Sequence, residues 1–171
     1  MTTDHRTYGL VWTALRWAAA ALQQADRVGA AWEPYMASMR PPAGGSFYRR
    51  ETPETRRPNA HFWADVHFLM IAVTHLGRAL EMIDNGPRLS KTTSKNAEDL
   101  RHLVEHWWKA ETGEGAWKGL RERHGEYASP EQLIFDPPDF KIGPDSLSVA
   151  ELADDVRRVE RELAALELKL G

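Results

Sequence analysis

Four polar residues on one predicted helix are the groups in this chain best suited to chemistry. At about 100° per residue, they fall on one continuous arc that points away from the apolar side of the same helix. An arginine binds phosphate, two imidazoles exchange protons near neutral pH, and a carboxylate orients them. The four residues are Arg101, His102, Glu105 and His106.

These groups suffice to cleave a phosphodiester without a metal ion when the substrate supplies its own 2′-hydroxyl nucleophile. The sequence therefore predicts RNA as the substrate, with Arg101 binding the phosphate, His102 and His106 as an acid/base pair and Glu105 as the orienting group. A solvated surface is the alternative, because the outward side of an amphipathic helix is polar in any protein. Glu105 would then simply pair with Arg101 across one turn.

The string Leu-Arg-His-Leu-Val-Glu-His-Trp, which begins at Leu100, resembles the Arg-polar-x3-His signature of the HEPN superfamily of all-α bundle proteins. The resemblance implies that Arg101 and His106 are the catalytic pair, with His102 and Glu105 beside them. This sequence departs from the family in His102, where asparagine is usual, and after Trp107, where Trp-Lys stands in place of acidic residues.

The same resemblance implies a biological setting and a partner. Many HEPN proteins are metal-independent endoribonucleases of toxin–antitoxin or other defence systems, and others are inactive binding proteins. They are homodimers in which the motif helices of two protomers form one composite site. A homodimer that uses no cofactor, acts on RNA and has an antitoxin or another protein partner is therefore expected.

Two other classes of function fit the sequence. His102 and His106 are four residues apart, a spacing at which two imidazoles bind one metal ion. A third ligand from His61 or His67 would give a three-histidine site that resembles the DinB-like family of metal-binding helical proteins. The C-terminal heptads would instead suit a non-enzymatic interaction subunit that docks on a partner helix.

Apolar residues that alternate at spacings of three and four predict four helices that position these groups. They cover about residues 6–28, 59–84, 96–113 and 149–170, and a short fifth helix is predicted around Glu114–Arg123. We therefore expect residues 1–171 to form a single all-α domain, a HEPN-like four-helix bundle with long connecting loops.

Capping signals set the expected helix ends. The second helix should begin at Pro58-Asn59 and end at Asn85-Gly86-Pro87, and the third should begin at Asn96 with Asp99 as its cap companion. Ser148 and Glu151 form a capping box before the last helix. The core stripe of the second helix is predicted to be Phe62, Val66, Leu69, Val73, Leu76, Leu80 and Ile83.

Two predicted connections, 33–58 and 127–147, are longer than is usual in a compact domain. The first carries a basic cluster that could hold an RNA backbone. The second has apolar residues around Leu133–Phe135 and Phe140–Ile142, which suggest a small extended excursion packed on the bundle. The candidate substrate-binding residues of the basic cluster are Arg49, Arg50, Arg56 and Arg57.

Composition narrows the function classes further. The chain has no cysteine, which excludes disulfides, Cys-ligated zinc and thiol nucleophiles. Its net charge of −3 gives no global basic field. No apolar run approaches a membrane span and the first residues do not resemble a signal peptide, so a cytoplasmic location without membrane attachment is expected.

Overall fold

The computed structural model describes residues 3–39, 53–105, 134–136, 139–142 and 145–170. These residues form an all-α helical bundle, which confirms the predicted fold class. Helix α1 spans Thr3–Met39, α2 spans Pro53–Glu81, α3 spans Lys91–Glu105 and α4 spans Val149–Leu170. Helix α1 packs along α2 and also against α4, while α3 packs on the other side of α2.

The core draws buried residues from all four helices, most of them from α1, α2 and α4. All seven residues of the predicted α2 stripe are buried, from Phe62 to Ile83, which confirms the stripe. Helix α1 contributes small side chains, which allow two helix axes to approach closely. Its buried row runs through Val11, Ala14, Ala18, Ala21, Ala25 and Val28.

Helix α1 is longer than the predicted helix over residues 6–28. It continues through Gly29 and Pro34 to Met39, although both residues are local signals for a helix end. Aromatic packing outweighs those signals. The ring of Tyr35 stacks on that of Phe62 with 4.4 Å between the ring centroids, and the Trp32 and Phe62 ring centroids are 5.7 Å apart. The predicted loop 33–58 is therefore shorter than expected, since its two ends belong to α1 and α2.

Helix α2 begins at Pro53, whose fixed φ suits a first helical position. Pro58, which was expected to mark the start, lies inside the helix near its beginning. The predicted end is close to the observed one. Asn85 has a φ of 54°, and the amide of Gly86 donates to the carbonyl of Ile83 at 3.2 Å, as in a helix-terminating turn.

Gly86 has no room for a side chain. A Cβ there would lie 2.6 Å from Cγ2 and 2.9 Å from Cβ of Ile83, which is buried and β-branched. We expect Gly86→Ala to lower the free energy of unfolding by about 1–3 kcal/mol, measured by urea titration. Gly9→Ala is the matched control, because its Cβ would meet nothing within 4 Å; it should raise stability by about 0.5–1 kcal/mol.

A small antiparallel sheet precedes α4, in the segment predicted to be extended. Strands β1 (Ile134–Asp136), β2 (Asp139–Ile142) and β3 (Asp145–Ser148) lie in that order, with Phe140 opposite both Phe135 and Leu147. The third strand was not expected. Strand β3 contacts α3 and passes directly into α4. The predicted fifth helix at Glu114–Arg123 lies outside the described residues.

Candidate functional site

Helix α3, which carries the candidate face, begins at Lys91 and not near Asn96. Ser90 caps it: the Ser90 hydroxyl oxygen accepts a hydrogen bond from the amide of Thr93 at 3.1 Å and donates one to Thr93 Oγ1 at 2.8 Å. The expected Asn96–Asp99 cap is wrong because the chain turns helical one and a half turns earlier. Five more residues before Arg101 are thereby fixed in helical conformation.

Helix α4 holds this first turn of α3 in place. Asp155 accepts a hydrogen bond from the Ser90 amide at 2.8 Å, and Arg158 donates to the carbonyl of Arg88 at 2.6 Å. Asp155 and Arg158 also form an ion pair of 2.7 Å, which Glu162 extends at 2.8 Å. The start of α3 is thus positioned by a network of charged groups from the last helix.

The same network shifts two pKa values. Burial alone raises the pKa of the Asp155 carboxyl, but the hydrogen bonds from Ser90, Arg158 and Thr93 outweigh burial and hold that pKa below 3.8. The hydrogen bonds to Asp155 and then to Glu162 raise the pKa of the Arg158 guanidinium. Both charged forms are therefore stabilised in the folded protein.

We expect Asp155→Ala to lower the free energy of unfolding by about 1.5–3 kcal/mol at pH 7, because charged hydrogen bonds to Ser90 and Arg158 are lost. Since folding lowers the Asp155 pKa, its contribution is complete above the unfolded-state pKa, near 3.8, and disappears as the pH falls through the folded-state value. Urea titrations of both proteins from pH 7 to pH 2.5 measure the difference, which should shrink only at the acidic end.

Asp154→Ala is the matched control, because Asp154 is 78% exposed and pairs with Arg157 only at the surface. It should change stability by less than about 1 kcal/mol. Equal losses for the two variants would contradict the proposed role of Asp155.

Arg101 is half-buried, which corrects the expectation that it points away from the bundle. It follows Ala97, which is fully buried, by one helical turn, so it continues that side of α3. Neighbouring helix α2 covers this side: a Cβ on Gly77 would be 3.8 Å from the hydroxyl oxygen of Ser94. Counting seven residues along each antiparallel helix from that contact places Arg101 level with Met70.

The other members of the candidate face are described to different degrees. His102 is half-buried next to Arg101. Glu105 is the last described residue of α3, and only its backbone is described. His106 lies outside the described residues, so the arginine–histidine pair stays a prediction.

The three-histidine metal site is the alternative interpretation of this face. Within the described residues, no three His, Asp or Glu side chains are grouped so that they would hold a metal ion. His61 is exposed and lies about 160° around α2 from Gly77, the residue that faces α3. His67 is closer to the α3 side, at about 80° from Gly77.

The basic cluster is divided between described and undescribed parts of the chain. Arg56 and Arg57 are exposed at the beginning of α2. Arg49 and Arg50 lie outside the described residues. The two described arginines therefore lie at the surface, where α2 begins.

A polar cleft between α2 and α3 was not predicted from the sequence. Its volume is about 120 Å³, and Gly77 leaves space at its floor. The sequence signal for such a cleft was a glycine inside a helix, Gly77, with the polar residues Thr74, Arg78 and Glu81 close to it on the same helix. The α2–α3 cleft is lined by Thr74, Gly77, Arg78, Glu81, Ser94 and Glu98.

Comparison with protein-family models, curated proteins and solved structures finds no significant match to this chain. The site is therefore interpreted from its own residues. None of the helices in the described ranges is long and apolar enough to cross a membrane.

Along α3, Arg101 and His102 lie within about one helical turn of the polar cleft. Glu98, in the cleft, precedes Arg101 by three residues, roughly 5 Å along the helix axis. A guanidinium at the edge of a cleft can bind a phosphate, while an adjacent cleft with donors and acceptors can bind the group attached to that phosphate.

Proposed function

We propose that the polar face of α3 is the active site of a metal-independent endoribonuclease similar to those of the HEPN superfamily. The observation that best supports this proposal is the half-burial of Arg101, which follows Glu98 of the α2–α3 cleft by about one helical turn. A guanidinium that is already held by its surroundings loses less conformational freedom when it binds phosphate. Its hydrogen bonds to an anion are also stronger where the local dielectric constant is low.

In this mechanism the 2′-oxygen of a ribose attacks the adjacent phosphorus while the bond from phosphorus to the 5′-oxygen breaks. Arg101 donates hydrogen bonds to the non-bridging oxygens, whose negative charge grows in the transition state. His106 takes the proton from the 2′-hydroxyl or gives one to the leaving 5′-oxygen. His102 and Glu105 orient this pair. The products carry a 2′,3′-cyclic phosphate and a 5′-hydroxyl.

The proposal extends to the substrate and its setting. Arg56 and Arg57, together with Arg49 and Arg50, would bind the RNA backbone outside the cleaved linkage. The activity would suit a toxin–antitoxin or defence system, in which a second protein restrains the ribonuclease. The homodimer implied by the resemblance is part of the same proposal.

Cleavage of a labelled structured RNA in excess EDTA tests the proposed activity. We expect the purified protein to cut the RNA without added metal and to leave 2′,3′-cyclic phosphate ends. An RNA with a single 2′-deoxy residue at the cleaved position is the control, and it should resist cleavage there. Cleavage of the 2′-deoxy substrate at that position, or cleavage that occurs only after metal is restored, would contradict the mechanism.

A further inference from the structure

In the described part of the chain, the charged groups of the α2–α3 cleft have no ion-pair partner. Arg78 and Glu81 are three residues apart on α2, and Glu98 faces them from α3. Among the described residues no ion pair links Arg78 to either glutamate. On α4, by contrast, Arg157 and Arg158 each pair with an aspartate three residues earlier. The hydrogen-bonding capacity of the cleft is therefore available to a ligand.

The cleft also contains two hydroxyl groups, those of Thr74 and Ser94. Thr74 donates its hydroxyl hydrogen to the carbonyl of Met70 at 2.8 Å, so it can only accept a further hydrogen bond. Ser94 lies on α3 next to the space left by Gly77. The cleft thus combines carboxylate acceptors with one guanidinium donor across a narrow gap between two helices.

This combination matches one nucleobase better than the others. Guanine carries two neighbouring N–H donors, at N1 and N2, which one carboxylate can accept together, and its O6 accepts from an arginine. Adenine and cytosine present a single amino group beside an unprotonated ring nitrogen, which a carboxylate repels. Uracil offers only one N–H between two carbonyl oxygens. A volume of about 120 Å³ admits the edge of a planar base.

We propose that the α2–α3 cleft binds the Watson–Crick edge of guanine, with Glu98 accepting from N1 and N2 and Arg78 donating to O6. Because Glu98 is one helical turn from Arg101, the phosphate of a bound guanosine would be within reach of that long side chain. The protein therefore cuts RNA beside guanosine. The binding of guanine stands by itself, whereas this preference in cleavage rests on the proposed ribonuclease activity.

Titration with guanosine 5′-monophosphate, followed by calorimetry or NMR, tests binding without any cleavage. We expect saturable binding of this nucleotide and binding at least about tenfold weaker for the adenosine, cytidine and uridine monophosphates. Glu98→Gln and Arg78→Ala should each weaken binding of the guanine nucleotide about tenfold or more. Glu33→Gln, an exposed glutamate on α1, is the control and should bind like wild type.

Gly77→Ala separates a filled cleft from a damaged fold. Its Cβ would make ordinary contacts of 3.8 and 3.9 Å with Ser94 and Leu89, and alanine is the better helix former. We expect its Tm to rise while its affinity for the guanine nucleotide falls. Loss of affinity with an unchanged or higher Tm supports the cleft as the binding site; unchanged affinity would overturn it.

The proposed preference for cleavage beside guanosine is tested with RNAs that differ only at the nucleotide next to the scissile phosphate. We expect a preference for guanosine of about 10- to 100-fold in kcat/KM, largely lost in Glu98→Gln. If guanine binds but RNA is not cut, the ribonuclease proposal fails and the guanine site stands. If RNA is cut without base preference and the nucleotide does not bind, the guanine site fails and the ribonuclease stands. If neither occurs, both are overturned.

Discussion

Replacing Arg101 by alanine is expected to lower kcat for RNA cleavage by about 10²- to 10³-fold, the usual cost of removing one group that stabilises transition-state charge. Arg101 is half-buried about one helical turn from Glu98 of the cleft, and a guanidinium in such a position would make strong hydrogen bonds to a phosphate. The loss should appear mainly in kcat, because the charge on the non-bridging oxygens increases during the reaction. Single-turnover cleavage in EDTA measures it directly.

The variant series around this residue is designed to separate charge from geometry. Arg101→Lys keeps the charge but loses the planar, two-pronged donor, so we expect only partial recovery of activity. His106→Ala should lower the rate by about 10²- to 10⁴-fold if it is the general acid or base. Arg157→Ala, which removes a half-exposed arginine from α4, is the control and should cleave like wild type. Full activity in Arg101→Ala, with an unchanged Tm, would contradict the proposed site.

Phe62→Ala is expected to lower the free energy of unfolding by about 3–5 kcal/mol, the largest effect on stability that we predict. Phe62 is fully buried and lies at the centre of an aromatic cluster. Its ring stacks on Tyr35 and lies 5.7 Å from Trp32 and 5.9 Å from Trp63. Its removal leaves a cavity where the end of α1 meets α2, and the surrounding rings cannot fill that cavity completely.

Urea unfolding monitored by far-UV circular dichroism and by tryptophan fluorescence measures this loss. The fluorescence of Trp32 and Trp63 should change most, because both rings contact the deleted one. Leu168→Ala, at a side chain that is 85% exposed, is the control and should remain within about 0.5 kcal/mol of wild type. A loss below about 1 kcal/mol in Phe62→Ala would show that the cluster does not hold α1 against α2.

The elements that could be predicted from sequence are those in which local signals and packing agree. The α2 stripe was found because one face of that helix is apolar at helical spacing and is also the face that the bundle buries. The amide of Glu151 donates to the Ser148 hydroxyl oxygen at 3.2 Å, so the start of α4 matches its capping signal. At these positions the local signals and the tertiary packing favour the same conformation.

The elements that could not be predicted depend on residues far apart in the chain. The end of α1 runs past Gly29 and Pro34 because Tyr35 packs on a residue of another helix. Arg101 is half-buried on a helix that packs against α2, and periodicity within α3 does not reveal that packing. The identity of the candidate residues came from their types and spacing, whereas their degree of exposure is a property of the packed helices.

The hydrogen bonds from α4 to the start of α3 have a consequence for the order of synthesis. Ser90 and Arg88 are translated well before their partners Asp155 and Arg158, which follow 65 and 70 residues later. While the chain is still growing on the ribosome, the first turn of α3 therefore lacks the groups that fix it. Any site built on α3 would acquire its final geometry only after α4 has been translated.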